Sequence, residues 1–318
     1  MKDKFTRGLE QVRKRLRIGS AGIQMSITLS FTVIAGIGMI LLGIILYSQF
    51  SVRTQTVTTE NAGQFLGQTK RSTEDYLRSM RRISDALYFS SIKNKDLKTD
   101  SMDPEFSLLY EANKDDLVSI ALYTEDGDLV SAVPVSARRE GVNVTEQSWF
   151  TDALDTVENL HFSLPHVQNL FEETPGRYHW VISMSRAVEL NRGGLPEQGV
   201  LLIDMNFSGI QQLLEKANSD STSEYIYLCS SRGDIIYHPR MSLINAGLYS
   251  EDNLAAAGRT DGTYLDFFEG RNRTTIVRTV SYTGWKLISV IPHRSYSMGM
   301  GKSRYFVVLV LAFLPAGR

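Results

Sequence analysis

One cysteine, Cys229, stands among 318 residues, so no disulfide closes within the chain and no zinc site built on several thiolates can form. Excess charge is missing too. A formal net charge of -1 lacks the concentrated basic surface that neutralises phosphates, which argues against a nucleic-acid binder. With 42% hydrophobic and 22% charged residues, 8 Pro and 24 Gly, the composition excludes a disordered or collagen-like chain and suits two globular units. Catalytic motifs are absent as well: there is no HExxH, P-loop, GxSxG or Rossmann fingerprint, and Gly36-Ile37-Gly38 falls inside an apolar run. No catalytic residue, metal ligand or cofactor is therefore expected.

What is present begins with charge. Lys2, Lys4, Arg7, Arg13, Lys14, Arg15 and Arg17 face only Asp3 and Glu10, and no charged residue follows until Arg53. Residues 23–47 are predominantly apolar, long enough for a helix that needs about 20 residues to span a bilayer. A cleavable signal peptide has a shorter apolar core and a small-residue cleavage site, so the segment reads as an uncleaved anchor. Positive residues remain on the cytoplasmic side, which leaves residues 1–22 inside and 48–303 outside a cell membrane. A second apolar run, YFVVLVLAFL at 305–314, would rise only about 15 Å as a helix. Residues 304–318 thus read as the start of a second span cut short, by a frameshift, a misplaced gene end or an engineered boundary.

Between these segments the pattern is mixed. Residues 48–92 contain no proline and place Phe65, Tyr76, Met80, Ile83 and Leu87, with Thr69 and Ser72, at helical spacings, predicting a long stalk helix. Its stripe serves either its own subunit or a second copy. Asp103-Pro104 predicts an N-cap and first-turn proline for a short helix to about Asn113. Residues 117–132 alternate around Asp126-Gly127, and residues 225–239 repeat the plan around Gly233, 106 residues after Gly127. Strands are expected at 178–188 and 200–205 after the first hairpin, and at 274–281 and 285–291 after the second. A helix from Asn206 or Phe207 to about Ala217 joins them, capped by Asn206 or Ser208. The expected fold is α+β, with two tandem modules of antiparallel sheet.

The histidines offer no metal site: His161 and His166 are five residues apart, and His238 before Pro239 reads as structural. Glu125, Asp126 and Asp128 form a solvated turn without an EF-hand pattern.

Basic tail, span, long helix and two PAS-like modules together resemble the input half of bacterial sensors with a double Cache domain. The likeness is closest to YesM-like sensor histidine kinases, on GVLLIDMNFSGIQQLLEKA (199–217), GDIIYHPRMSLINAGL (233–248) and TGWKLISVIP (283–292). The resemblance implies a distal module at 93–212, a proximal module at 213–300, a homodimer, and a small-molecule ligand or ligand-bearing protein sensed outside the cell. It also implies a response regulator reached through a kinase half, although nothing in these residues supplies a cytoplasmic phosphoacceptor histidine. A chemotaxis receptor with the same ectodomain, or a surface-anchored binding protein without signalling, are the alternatives. Relatives that bind amino acids carry Arg-x-Trp-Tyr in the distal module, then a later Tyr and an Asp. The matching positions are Gln147, Trp149 and Phe150, with His166 near the Tyr and Asp204 in place of the Asp. With Gln147 in place of arginine, no bidentate carboxylate clamp forms there. Gln147, Trp149, Phe150, His166 and Asp204 therefore suit a polyol or sugar better than an amino acid. The plainer alternative makes Trp149 and Phe150 core residues and Asp204 a cap for the next helix.

Overall fold

The computed structural model describes residues 23–134, 139, 141–156, 160–172, 178–219 and 224–293. The basic tail and the second apolar run lie outside the described residues. Helix α1, Ile23–Ser90, opens with a stretch whose mean hydropathy reaches 2.5 over 18 residues, long and apolar enough to cross a membrane. Side chains such as Phe31 and Met39 are exposed along it, as a lipid-facing segment requires.

From residue 61 onward α1 behaves differently. Ala62, Leu66, Thr69, Thr73, Leu77, Met80, Ile83 and Leu87 are buried at spacings of three and four, one stripe along the helix. Thr69, Met80, Ile83 and Leu87 lie in the expected stripe, whereas Phe65 and Ser72 face solvent, Tyr76 is half-buried, and Leu66, Thr73 and Leu77 fill the core beside them. Helix α2, Asp103–Ala112, has Met102 rather than Asp103 at its N-cap. Asp103 sits one position inside, where its Oδ1 accepts from Ser131 Oγ at 2.7 Å.

Two antiparallel sheets pack with α1. The first orders β2-β1-β6-β5-β3, with β4 also paired to β5. Its strands are β1 Leu117–Thr124, β2 Leu129–Val133, β3 His161–Phe162, β4 His166–Val167, β5 Trp180–Arg192 and β6 Leu195–Asn206. Helix α3, Ser148–Asp155, lies between β2 and β3, and α4, Ser208–Ser219, follows β6. The module boundary expected between residues 212 and 213 falls within α4. The second sheet orders β8-β7-β11-β10-β9, from β7 Tyr225–Cys229, β8 Ile235–Tyr237, β9 Gly262–Phe268, β10 Arg271–Thr279 and β11 Lys286–Pro292. Short helices α5, Met241–Asn245, and α6, Asn253–Ala257, separate β8 from β9.

The repeat seen in the sequence extends to hydrogen bonds. Gly127 N–H donates to Thr124 O and Thr124 N–H to Asp128 O, while Asp128 N–H also reaches Thr124 Oγ1. In the second hairpin Gly233, Ser230 and Asp234 make the same three bonds. Both glycines take positive φ, 86° and 95°, which side chains with a Cβ rarely adopt. Side chains on one face of each sheet join the α1 stripe in a single apolar core, among them Ile182, Ile203 and Met205 from the first and Leu228, Ile276 and Leu287 from the second.

Candidate functional site

Strand alternation puts the next set of side chains on the opposite face of the first sheet. There β1 presents Ser119, Ala121 and Tyr123, β5 presents Ser183 and Ser185, and β6 presents Val200, Leu202 and Asp204. Ser119 and Ser183 each stand directly across from Asp204 in the strand register. Both donate to it, Ser119 Oγ to Oδ2 at 2.7 Å and Ser183 Oγ to Oδ1 at 2.5 Å. Asp204 is only 2% exposed. Burial pushes its carboxyl above the usual range, against the opposing pull of the two serine hydroxyls and of His166.

His166 comes from β4. Its Nδ1 lies 3.0 Å from Leu164 O, an atom that can only accept, so Nδ1 carries a proton. Ser183 gives its own proton to Asp204, so Nε2, 3.4 Å from Ser183 Oγ, bonds to it when the ring is doubly protonated. His166, Ser183 and Asp204 thus form one polar chain, with Ser119 closing its far side.

Helix α3 covers the neighbouring part of this face. Trp149 and Phe150 are buried with Ala121, Tyr123, Val144, Leu170, Phe171, Val200 and Leu202. The Trp149 ring lies 5.8 Å from Tyr123 and 5.7 Å from Phe150, and Ser185 Oγ donates to Trp149 O at 2.7 Å. Gln147, at the N-cap of α3, is half-buried, and its Nε2 donates to Asn143 O at 3.2 Å.

Of the five residues singled out from sequence, His166 and Asp204 are brought together through Ser183. Trp149 joins the same face through Ser185 and its rings. Phe150 packs in the apolar cluster, and the Gln147 side-chain amide donates to its own loop. Asp204 does not cap α4, because Asn206 Oδ1 accepts from Ser208 N–H at 3.0 Å. Sequence reasoning missed Ser119, Ser183 and Ser185. Their signal is a small polar residue at an inward position of an otherwise apolar strand, readable only once the register is known.

Chemically the site offers a desolvated carboxylate, an imidazole and a line of hydroxyls beside aromatic faces. That set presents acceptors suited to O–H or N–H donors. Among the described residues no group of His, Cys, Asp and Glu is arranged to hold a metal ion.

A Cache domain family model matches residues 47–299. No characterised protein matches the chain by sequence at a significant level. Among solved structures, the ligand-binding domain of the Pseudomonas aeruginosa PAO1 amino acid chemoreceptor PctC, in complex with GABA, aligns with a TM-score of 0.56 at 18% identity, covering 74% of this chain and 99% of that one. That of the Campylobacter jejuni chemoreceptor Tlp3, in complex with L-valine, gives 0.59 at 16% identity, with 76% and 96% covered. The P. aeruginosa PctB domain with L-Arg gives 0.50 at 16%, with 76% and 97% covered. At these identities the likeness establishes the shared fold.

Proposed function

The chain belongs to the Cache domain family, and from that premise we propose that it is the membrane-anchored, extracytoplasmic input half of a sensor histidine kinase. The observation that carries the reading is the buried carboxylate of Asp204, hydrogen-bonded by Ser119 and Ser183, with His166 beside Ser183. A small ligand binds on that face of the first module, presenting hydroxyl or amino hydrogens to Asp204 and an apolar flank to Trp149. Position 147 carries no guanidinium, which favours a polyol or sugar over an α-amino acid. The sensor acts as a homodimer paired along α1, where Phe65 and Phe89 face solvent at 44% and 59% exposure. Residues 1–22 are cytoplasmic, and ligand shifts the population between two arrangements of the pair. This chain itself catalyses nothing; the phosphoryl chemistry belongs to a kinase half and its response regulator.

The test uses the full chain in detergent micelles, titrated with polyols, sugars, amino acids and carboxylates while thermal unfolding and mass are followed. One class raises the unfolding midpoint saturably, and Asp204→Asn removes the effect. A chain that answers to no compound and stays monomeric at high concentration overturns the proposal. The second reading, a chemotaxis receptor, is favoured by the PctC, Tlp3 and PctB likenesses. Protein or coding sequence following the second apolar run separates the two, since one output is a phosphoacceptor helix and the other a long coiled coil.

A further inference from the structure

Register carries the first module's site onto the second. Ser119 and Ser183 face Asp204 across their strands; the corresponding pairs in the second sheet are Tyr225 with Val290 and Thr275 with Val290. Acid has become valine there, and the carboxylate this face does hold, Asp266 on β9, is taken up by Thr275 Oγ1 at 2.6 Å and Arg259 at 2.7 Å.

A second arrives from the loop before α6. The Glu251 side chain is fully buried, and Arg273 Nη1 donates to its Oε1 at 2.6 Å. Oε2 accepts from Tyr225 at 2.6 Å and from Tyr249 at 3.3 Å. His238 Nδ1 accepts from Arg240 N–H at 2.9 Å, which leaves the neutral ring's proton on Nε2, 3.5 Å from Oε2. Rings of Tyr225, Tyr227 and Tyr249 stand 5.3–5.6 Å from this imidazole. Burial raises the Glu251 carboxyl, but the hydrogen bonds of His238 and Tyr225 and the Arg273 charge outweigh it and bring it down to about 2.

Donors in this cluster outnumber acceptors. Among the described residues, Tyr227 Oη and Arg273 Nε are buried without a hydrogen-bond partner, and His238 Nε2 has only its long approach to Glu251. Tyr227, His238 and Arg273 are 0%, 2% and 6% exposed, so bulk water does not satisfy them. Withdrawal of Glu251 would leave the Arg273 guanidinium buried without its ion-pair partner, since Asp266 across the register is already bonded to Arg259 and Thr275, a state that an incoming anion relieves. A planar carboxylate fits the place because one already occupies it.

We propose that this face of the second module is a binding site for a small monocarboxylate, held in cis by Glu251 and open to a free acid when the Tyr249–Glu251 loop withdraws. The inference is independent of the ligand read for the first module.

Acetate serves as the probe, on the full chain in detergent, at constant ionic strength against sodium chloride. In Glu251→Ala, acetate raises the unfolding midpoint saturably and methylammonium chloride does not. The response persists with Asp204→Asn added and is lost in Glu251→Ala/Arg273→Met. Wild-type protein responds with at least about tenfold weaker apparent affinity, since the tethered carboxylate competes. Should Glu251→Ala fail to fold in chloride, acetate present throughout purification restores it. A variant that acetate does not rescue, a folded variant to which acetate and chloride are equivalent, or a wild-type protein indifferent to acetate at every concentration overturns the proposal.

Discussion

Two buried carboxylates carry opposite signs in this molecule. Asp204 has its carboxyl raised by burial, so between its unfolded value near 3.8 and its higher folded value the native state binds more protons than the unfolded chain. Its ionisation therefore costs stability as pH rises through that window. Asp204→Asn, which keeps shape and removes charge, should raise the unfolding midpoint near neutral pH, with the advantage vanishing on acidification. Bonds to a charged acceptor are worth about 1.5–3 kcal/mol, so the same variant should weaken ligand binding about ten- to a hundredfold by calorimetry. Glu251 runs the other way. Its carboxyl is held down to about 2, so its contribution is complete above its unfolded value of 4.5 and lost as pH falls through that interval. Glu251→Gln should cost about 3–5 kcal/mol at neutral pH, shrinking toward pH 2 in pH-dependent denaturant titrations. Asp204 was legible as a lone acid inside LLIDMN. Its serines were not, because Ser119 and Ser183 lie 85 and 21 residues away in the chain and only strand pairing joins them. Glu251 escaped for the same reason: its partners come from β7, β8's following turn and β10.

Strand β6 does more than hold Asp204, because two residues later it meets α1. Tyr76 Oη donates to Asn206 O at 2.6 Å, and the Asn206 side chain caps α4. At the other end of α4, the Asn218 side chain accepts from Ile226 N–H at 2.7 Å and donates to Ile226 O at 3.0 Å, clasping the first strand of the second module. The elements from the Asp204 strand to β7 are thus tied end to end, with α1 bonded at the junction. Tyr76→Phe should remove one bond and cost about 0.5–1.5 kcal/mol in chemical denaturation. Gly209→Ala should cost more, about 1–3 kcal/mol, because a Cβ there would come within 2.5–2.7 Å of the Tyr76 ring. A variant pair of equal stability would show that the ring does not rest on Gly209. At this scale the sequence was informative where local chemistry decides: both hairpins, the four long strands, α2 and α4 stand close to their expected places. Short β3 and β4 were missed, since two-residue strands carry no periodicity. Strand β9 was missed because Leu265 and Phe267 face outward at 81% and 72% exposure, which blurs the alternation of an edge. In α1 the stripe was read correctly at Thr69, Met80, Ile83 and Leu87 and off by one residue at Phe65, Ser72 and Tyr76, where Leu66, Thr73 and Leu77 turn inward and aromatic size gave no guide to which neighbour would win.

Across the whole molecule, the two sheets share a strand order, β2-β1-β6-β5 against β8-β7-β11-β10, and differ in what lies on their outer faces. The first sheet keeps an acid among serines there; the second fills the corresponding face with tyrosines, His238 and the Glu251–Arg273 pair. Both turn their other faces to one continuous apolar core that includes the α1 stripe. Glu74 Oε1 accepts from Ser281 N–H at 2.8 Å, and Arg186 reaches Asp85 at 2.7 Å, so α1 is pinned to each module by a polar contact as well. Separate cores would let one module unfold while the other stayed native. A shared core instead predicts that damage to α1 is felt by both. Leu66 and Leu77 are fully buried in that stripe. Either leucine replaced by alanine should cost about 2–5 kcal/mol. Native-state hydrogen exchange then gives the decisive reading: in each variant the slowest amides of β6 and of β11 should lose protection by the same amount. Loss confined to one sheet would mean that the modules unfold independently, and that a ligand held at Asp204 could reach the second module only through α4.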